Sequence, residues 1–236
     1  MASQAPTGEA IDRLIITPRP LSDYRDMFLL TDADLTAGPI LDCPGGASPF
    51  GAQVRARAGS VVSVDRAYRL SRDELAERVR RDTALTETWT AANRESFNWA
   101  YLGSPVALRR LFEVAADLFL IDYAPDGERY VAASLPTLPF PDGAFRLTLS
   151  SHLLFCYPEY FTYEGHLTGI VELMRVTSGE LRIFPLVDTT GRPYPRMDEL
   201  CAALAERGIL TETAIAACSY LAGGDSLLRC RWKEPR

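Results

Sequence analysis

Short apolar runs alternate with amphipathic stretches along most of the chain. Ile40-Leu41-Asp42 is an apolar run that closes on an acid and leads into the tight turn Cys43-Pro44-Gly45-Gly46-Ala47-Ser48. This reads as a buried strand entering a glycine loop. Residues 48–58 supply a helix, with Ser48 suited to cap it and Pro49 to its first position. Val61-Val62-Ser63-Val64-Asp65 is a second, β-branched strand that again closes on an acid. Strand, helix and strand in such quick succession predict a right-handed βαβ unit with parallel strands.

The same patterning continues beyond it. Residues 11–35 mix apolar and charged positions as a helical lead-in. Residues 66–103 are too long for a single connection and read as a helical insertion after the second strand. Ser104-Pro105 opens an amphipathic helix to residue 122, with Leu108, Leu111, Phe112, Ala115, Leu118 and Phe119 on its apolar face. Strands are predicted over 130–134, 145–151 and 181–186, and helices over 163–175 and 197–207. Gly208 suits the last helix as a C-cap. Two final runs, 212–220 and 226–232, flank Gly223-Gly224-Asp225 as an antiparallel hairpin. The whole predicts an α/β fold: an open, doubly wound, mostly parallel seven-stranded sheet of Rossmann-like type, ending in that hairpin. Residues 1–35 form a lead-in or lid, and 36–236 a cofactor-binding domain carrying the insertion. Residues 1–10, small and polar, read as a disordered tail.

Composition narrows the chemistry. A chain of 236 residues that is 47% hydrophobic and 24% charged is globular, and long enough for one large core. Its only lysine is Lys233, and no GxxxxGK[ST] phosphate loop exists. Two histidines, His152 and His166, are too few for a His-rich metal site, and the five cysteines contain no CxxC pair. No metal is expected. Scattered, odd-numbered cysteines suit reduced thiols in a cytoplasmic protein. No apolar run approaches the ~20 residues of a membrane span, and no signal-peptide pattern opens the chain. The net charge of −6 argues against nucleic acid as partner.

In open α/β sheets, ligands bind outside the carboxyl ends of the strands where the strand order reverses. Those ends carry Asp42–Ser48, Asp65, Ser134 and Ser151–His152. A turn of small residues lets backbone N–H groups approach a ligand. Asp65 lies 20 residues past Gly45, and a carboxylate at that place can accept from ribose hydroxyls or cap the following turn.

At these residues the chain resembles the class I S-adenosylmethionine-dependent methyltransferases. LDCPGGAS looks like that family's acid-and-glycine loop, SLPTLPFPDGAFRLTLSSHLLF its stretch around the third and fourth strands, and ELMRVTSGELRIFPL its approach to the fifth. The resemblance covers roughly 35–65 and 129–232. It implies a methyltransferase (EC 2.1.1 class) that moves a methyl group from S-adenosyl-L-methionine to a small-molecule acceptor by in-line displacement, as a monomer or homodimer. It implies a cofactor site of Tyr24, Asp42, Cys43, Pro44, Gly45, Gly46, Asp65, Arg66, Ser134, Leu135 and Ser151. Asp42 would face the methionyl amino group, Gly45 and Gly46 the carboxylate, Asp65 the ribose, and Ser134 and Leu135 the adenine. Tyr24 would lie over the methionyl end as a lid. His152 is the candidate catalytic residue, orienting an acceptor or taking its proton, or else a hydrogen-bonded strand end. Tyr157, Tyr160 and Trp99 are candidate substrate contacts. Trp99 belongs with Trp89, Phe97 and Tyr101 to an aromatic group that forms either a substrate cavity or the core of the insertion.

Two other readings stay open. An NAD(P)-dependent oxidoreductase shares the glycine loop and the strand-end acid. Pro44, Ser134 and Arg146 depart from the methyltransferase pattern and leave room for a non-catalytic binding protein with a degenerate site.

Overall fold

A computed structural model describes residues 14–125 and 127–234; the tail expected over 1–10 lies outside them. The elements in chain order are α1 (Leu21–Phe28), α2 (Asp32–Thr36), β1 (Pro39–Asp42), α3 (Phe50–Arg55), β2 (Ser60–Val64), α4 (Arg72–Ala92), α5 (Trp99–Leu102) and α6 (Pro105–Asp122). They continue with β3 (Tyr130–Val131), β4 (Phe145–Ser151), α7 (Tyr163–Arg175), β5 (Thr177–Phe184), α8 (Met197–Ala205), β6 (Ile209–Ile215) and β7 (Ser226–Trp232).

The strands form one sheet in the order β3-β2-β1-β4-β5-β7-β6. The first five run parallel, and β7 pairs antiparallel with both β5 and β6. This is the doubly wound sheet with a terminal hairpin that the patterning predicts. The order reverses between β1 and β4, where Asp42 stands beside Leu149. Successive residues serve opposite faces, as a pleated strand requires. Ile40 and Leu227 join the core under α1, α3 and α6, while Leu41 and Leu228 join the core under α7 and α8.

The insertion expected over 66–103 is helical, with α4 taking up 21 of its residues. A capping box fixes its start: the Ser71 hydroxyl accepts from the Glu74 N–H, and the Glu74 carboxylate accepts from the Ser71 N–H. Ser104 caps α6 in the same manner, accepting from the Ala107 N–H. The buried face of α6 uses Leu108, Phe112, Ala115 and Phe119 as predicted, but Leu118 turns outward and is exposed. Ile16 joins Leu75 and Val79 of α4 and Phe119 of α6 in a third core, and its N–H donates to the buried Asp82 carboxylate.

Three strands differ from prediction in their bounds. β3 stops at Val131 because the chain turns back, with the Ala133 N–H donating to the Val131 carbonyl. β5 begins four residues early, at Thr177. There Gly179 passes so close to β4 that a Cβ would lie 2.2 Å from the Arg146 carbonyl oxygen. β6 ends at Ile215 rather than 220, and the chain then leaves the sheet.

The lead-in is locked to the sheet by a buried arginine. From β5, Arg182 donates to the Phe28 carbonyl at 2.8 Å and meets Asp34 at 3.3 Å and Glu180 at 3.2 Å. Without Arg182 the Phe28 carbonyl loses this donor and each acid loses one partner, while Glu180 keeps Arg229 and Asp34 keeps Thr31; a buried acceptor left unsatisfied costs about 2 kcal/mol. Arg182→Met should therefore lower the urea-unfolding free energy by about that amount. A loss under about 1 kcal/mol would mean the network contributes no more than a surface pair.

Candidate functional site

The glycine loop is built from backbone contacts to both neighbouring strands. The Cys43 N–H donates to the Leu149 carbonyl and the Gly45 N–H to the Val64 carbonyl, so Pro44 removes no bond that the turn needs. Gly45 must be glycine here: a Cβ would lie 2.5 Å from the Tyr68 hydroxyl and 2.8 Å from the Ser63 Cβ. Gly46 adopts φ +53°, beneath the Thr17 carbonyl of the lead-in. The Ser48 hydroxyl donates to the Arg19 carbonyl and accepts from the Phe50 N–H at the start of α3. The lead-in is thus clasped over the loop.

Two carboxyls stand at this edge in different settings. Asp65 accepts from the Gly46 N–H at 3.2 Å and from the Ala67 N–H at 2.9 Å, so it both holds the loop and caps the turn at 66–69. Burial raises its pKa, while the two backbone donors hold it down. Asp42 lies fully buried beneath the loop, accepting from the Tyr24 hydroxyl at 3.0 Å. Burial chiefly, with the charge of Asp65, pushes its pKa up to about 8. The Tyr24 ring stacks on Phe50, with centroids 4.2 Å apart.

At the end of β4, His152 takes a left-handed backbone (φ +48°), rare for a residue with a side chain and common at functional sites. Its N–H donates to the Phe184 carbonyl at 2.7 Å, and its Nδ1 lies 2.8 Å from the Ser151 hydroxyl. The ring packs edge-on against Phe184 and Tyr220. Burial first, and Arg19 second, push its pKa well below the usual value, so the imidazole is neutral at pH 7.

These features share one cavity of about 120 Å³. Its lining includes Pro44, Gly45, Gly46 and Asp65, and also Tyr24, Ser151, His152 and Tyr157. Eight of the predicted site residues therefore come together. The others do not line it. Asp42 and Cys43 are buried beneath the loop, and Arg66 is exposed beyond it. Ser134 is exposed and Leu135 packs among the residues under α7, both just past β3 at the same sheet edge. Tyr160 is exposed, with its ring edge-on to Tyr157. Trp99 packs on Phe97 and donates its indole N–H to the Arg94 carbonyl.

The insertion does reach the cavity, through Trp89 and Phe97 instead of Trp99, with Thr86, Thr90 and Phe112 beside them. Arg19 and Tyr220 also line it and had no sequence signal of their own. Thr86, Trp89 and Thr90 did carry one, because spacings of three and four place them on one face of a helix.

The second histidine, His166, is buried at the start of α7 with its Nδ1 against the Thr162 carbonyl. All five cysteines are unpaired. Among the described residues no helix is long and apolar enough to cross a membrane.

No family model matches the chain. An uncharacterized protein of Methanocaldococcus jannaschii is 27% identical over 218 residues, covering 92% of this chain and 96% of that protein. Among solved structures, the chain is similar to the magnesium protoporphyrin IX methyltransferase of Synechocystis PCC 6803 with bound S-adenosylhomocysteine (15% identity, 88% of this chain and 80% of that one, TM-score 0.48). It is also similar to the 1,6-didemethyltoxoflavin-N1-methyltransferase of Burkholderia thailandensis, bound to 1,6-didemethyltoxoflavin and S-adenosylhomocysteine (14% identity, 84% and 72%, TM-score 0.42).

Proposed function

We propose that the protein is a cytoplasmic S-adenosylmethionine-dependent methyltransferase acting on a small molecule. The observation that carries this reading is Asp65. Its carboxylate stands at the carboxyl end of β2, next to β1 where the strand order reverses, is joined to the glycine loop through the Gly46 N–H, and lines the cavity. A carboxylate has about four acceptor positions, so two backbone donors leave room for a pair of ribose hydroxyls. Five unpaired cysteines suit a reducing compartment.

The residues present fit the sugar and amino-acid end of the cofactor. Asp65 would hold the ribose, the Gly45–Gly46 backbone the methionyl carboxylate and Tyr24 the amino end; Asp42, buried beneath the loop, would act on the amino group only through the Tyr24 hydroxyl it accepts from. The adenine contacts of Ser134 and Leu135 belong to the proposal and lie beyond the cavity's lining. When bound, the cofactor supplies a methyl group already activated as a sulfonium. The chain's own part is to orient the acceptor and exclude water. Phe184, Pro185 and Tyr157 wall the cavity beside His152. His152 is neutral and so able to accept a proton from an acceptor hydroxyl or amine, and its contact with the Ser151 hydroxyl fixes the ring.

Isothermal titration with S-adenosylmethionine, S-adenosylhomocysteine and NAD tests the reading. The first two should bind one per chain and NAD should give no heat. Binding of NAD alone, or of none of the three, would overturn it.

A further inference from the structure

Where the lead-in lines the cavity it supplies a buried cation that forms no ion pair among the described residues. Arg19 is 8% exposed and lines the cavity, with its guanidinium 4.8 Å over the Tyr220 ring. One of its terminal nitrogens donates to the Thr17 hydroxyl, but its Nε has no partner. Among the described residues no carboxylate forms an ion pair with it. Asp23, near enough to feel its charge, is engaged by the Tyr220 hydroxyl. Arginine cannot shed its proton, so burying it unpaired is costly unless a ligand completes the pair.

A second orphan belongs to a residue that lines the same cavity. Thr90 is 2% exposed, lines the cavity, and its hydroxyl has no hydrogen-bond partner. Five buried side-chain polar atoms lack partners among the described residues, and these are the two whose residues line the cavity. The same lining carries apolar walls: Trp89 and Phe97 meet edge to face at 5.2 Å, and Leu108 and Phe112 also line the cavity.

We propose that the methyl acceptor is a small aromatic carboxylic acid whose carboxylate is held by Arg19, whose ring lies against Trp89, Phe97 and Phe112, and whose polar substituent meets the Thr90 hydroxyl. The Arg fork matches a carboxylate in shape. A monoanion suits these apolar walls better than a doubly charged phosphate, which sheds water at far greater cost. That the bound acid accepts a methyl group rests on the methyltransferase reading; the anion site itself does not.

The test uses benzoate, benzamide and the three hydroxybenzoates, titrated into the whole protein with and without saturating S-adenosylhomocysteine. Benzoate should bind and benzamide should bind at least tenfold more weakly. At least one hydroxybenzoate should exceed benzoate, and Thr90→Val should abolish that advantage. Arg19→Met should weaken acid binding at least tenfold while S-adenosylhomocysteine affinity stays within twofold. Equal binding of benzoate and benzamide, or no binding of any acid to either form, overturns the proposal. So does a tenfold loss of S-adenosylhomocysteine affinity in Arg19→Met, which would assign the arginine to the cofactor's own carboxylate. Should the wild type ignore S-adenosylhomocysteine, the methyltransferase reading falls; Arg19-dependent acid binding to the cofactor-free protein would still establish the anion site. Arg19→Lys, which keeps the charge and loses the fork, should retain part of the affinity and guards against misfolding in the methionine variant.

Discussion

Asp65→Ala should lose about a hundredfold in affinity for S-adenosylhomocysteine. Two charge-assisted hydrogen bonds from ribose hydroxyls are at stake, each worth roughly 1.5–3 kcal/mol, against about 1.4 kcal/mol for each tenfold in affinity. The same carboxylate caps the turn at 66–69 and restrains Gly46, so the variant should also lose about 1 kcal/mol of stability. Asp65→Asn separates the two effects. It keeps a capping oxygen for the Ala67 N–H, and asparagine caps as well as aspartate, but its NH2 faces the Gly46 N–H that the second carboxylate oxygen accepts from, so stability should recover only in part. Affinity should not, because the amide presents a donor where two hydroxyl donors arrive. Calorimetric titration of both variants beside their unfolding midpoints checks the pair. Unchanged affinity in Asp65→Ala would remove the ribose role and the observation on which the methyltransferase reading stands.

The sequence carried the sheet better than the cavity, for a physical reason. A strand or helix writes its period into neighbouring residues, and β4 and α7 fall where alternation and 3.6-residue spacing place them. β5 was legible only in its apolar half, because Thr177-Ser178-Gly179 owes its extended form to Gly179 passing under the Arg146 carbonyl, which is a tertiary contact. The glycine-loop half of the site was readable because strand ends and small-residue turns are local signals. The other half is not local: Arg19, Trp89, His152 and Tyr220 meet across some two hundred residues of chain. Trp89 and Trp99 look alike in composition, yet α4 carries one to the cavity while the other packs on Phe97. Choosing between them required α4 to be recognised as one long helix, and its start is set by the Ser71–Glu74 box more than by any apolar stripe.

Asp42→Asn should stabilise the protein increasingly as pH rises from about 5 to about 8. In the folded chain the Asp42 carboxyl is fully buried and titrates near 8, whereas in the unfolded chain it titrates near the ordinary value of 3.8. Between those values the folded state keeps a proton that the unfolded state releases. Wild-type stability present below pH ~4 is therefore lost as pH rises toward 8, by up to about 1.4 kcal/mol per pH unit, and the loss levels off above it. The groups facing Asp42 are the Tyr24 hydroxyl from α1, the Ser63 hydroxyl from β2 and the charge of Asp65 beyond it. Asp65 also titrates upward through burial, but it is present in both proteins and largely cancels in their difference. Asparagine keeps the oxygen that accepts from Tyr24 and carries no charge, so its stability should lack this slope. Urea unfolding of both proteins at pH 5, 6, 7, 8 and 9 gives the difference curve. It should climb to pH 8 and then flatten; a flat curve throughout would mean that Asp42 ionises normally and that its burial is relieved by contacts other than Tyr24 and Ser63. A carboxyl that asparagine would replace at a gain in stability is held at a cost.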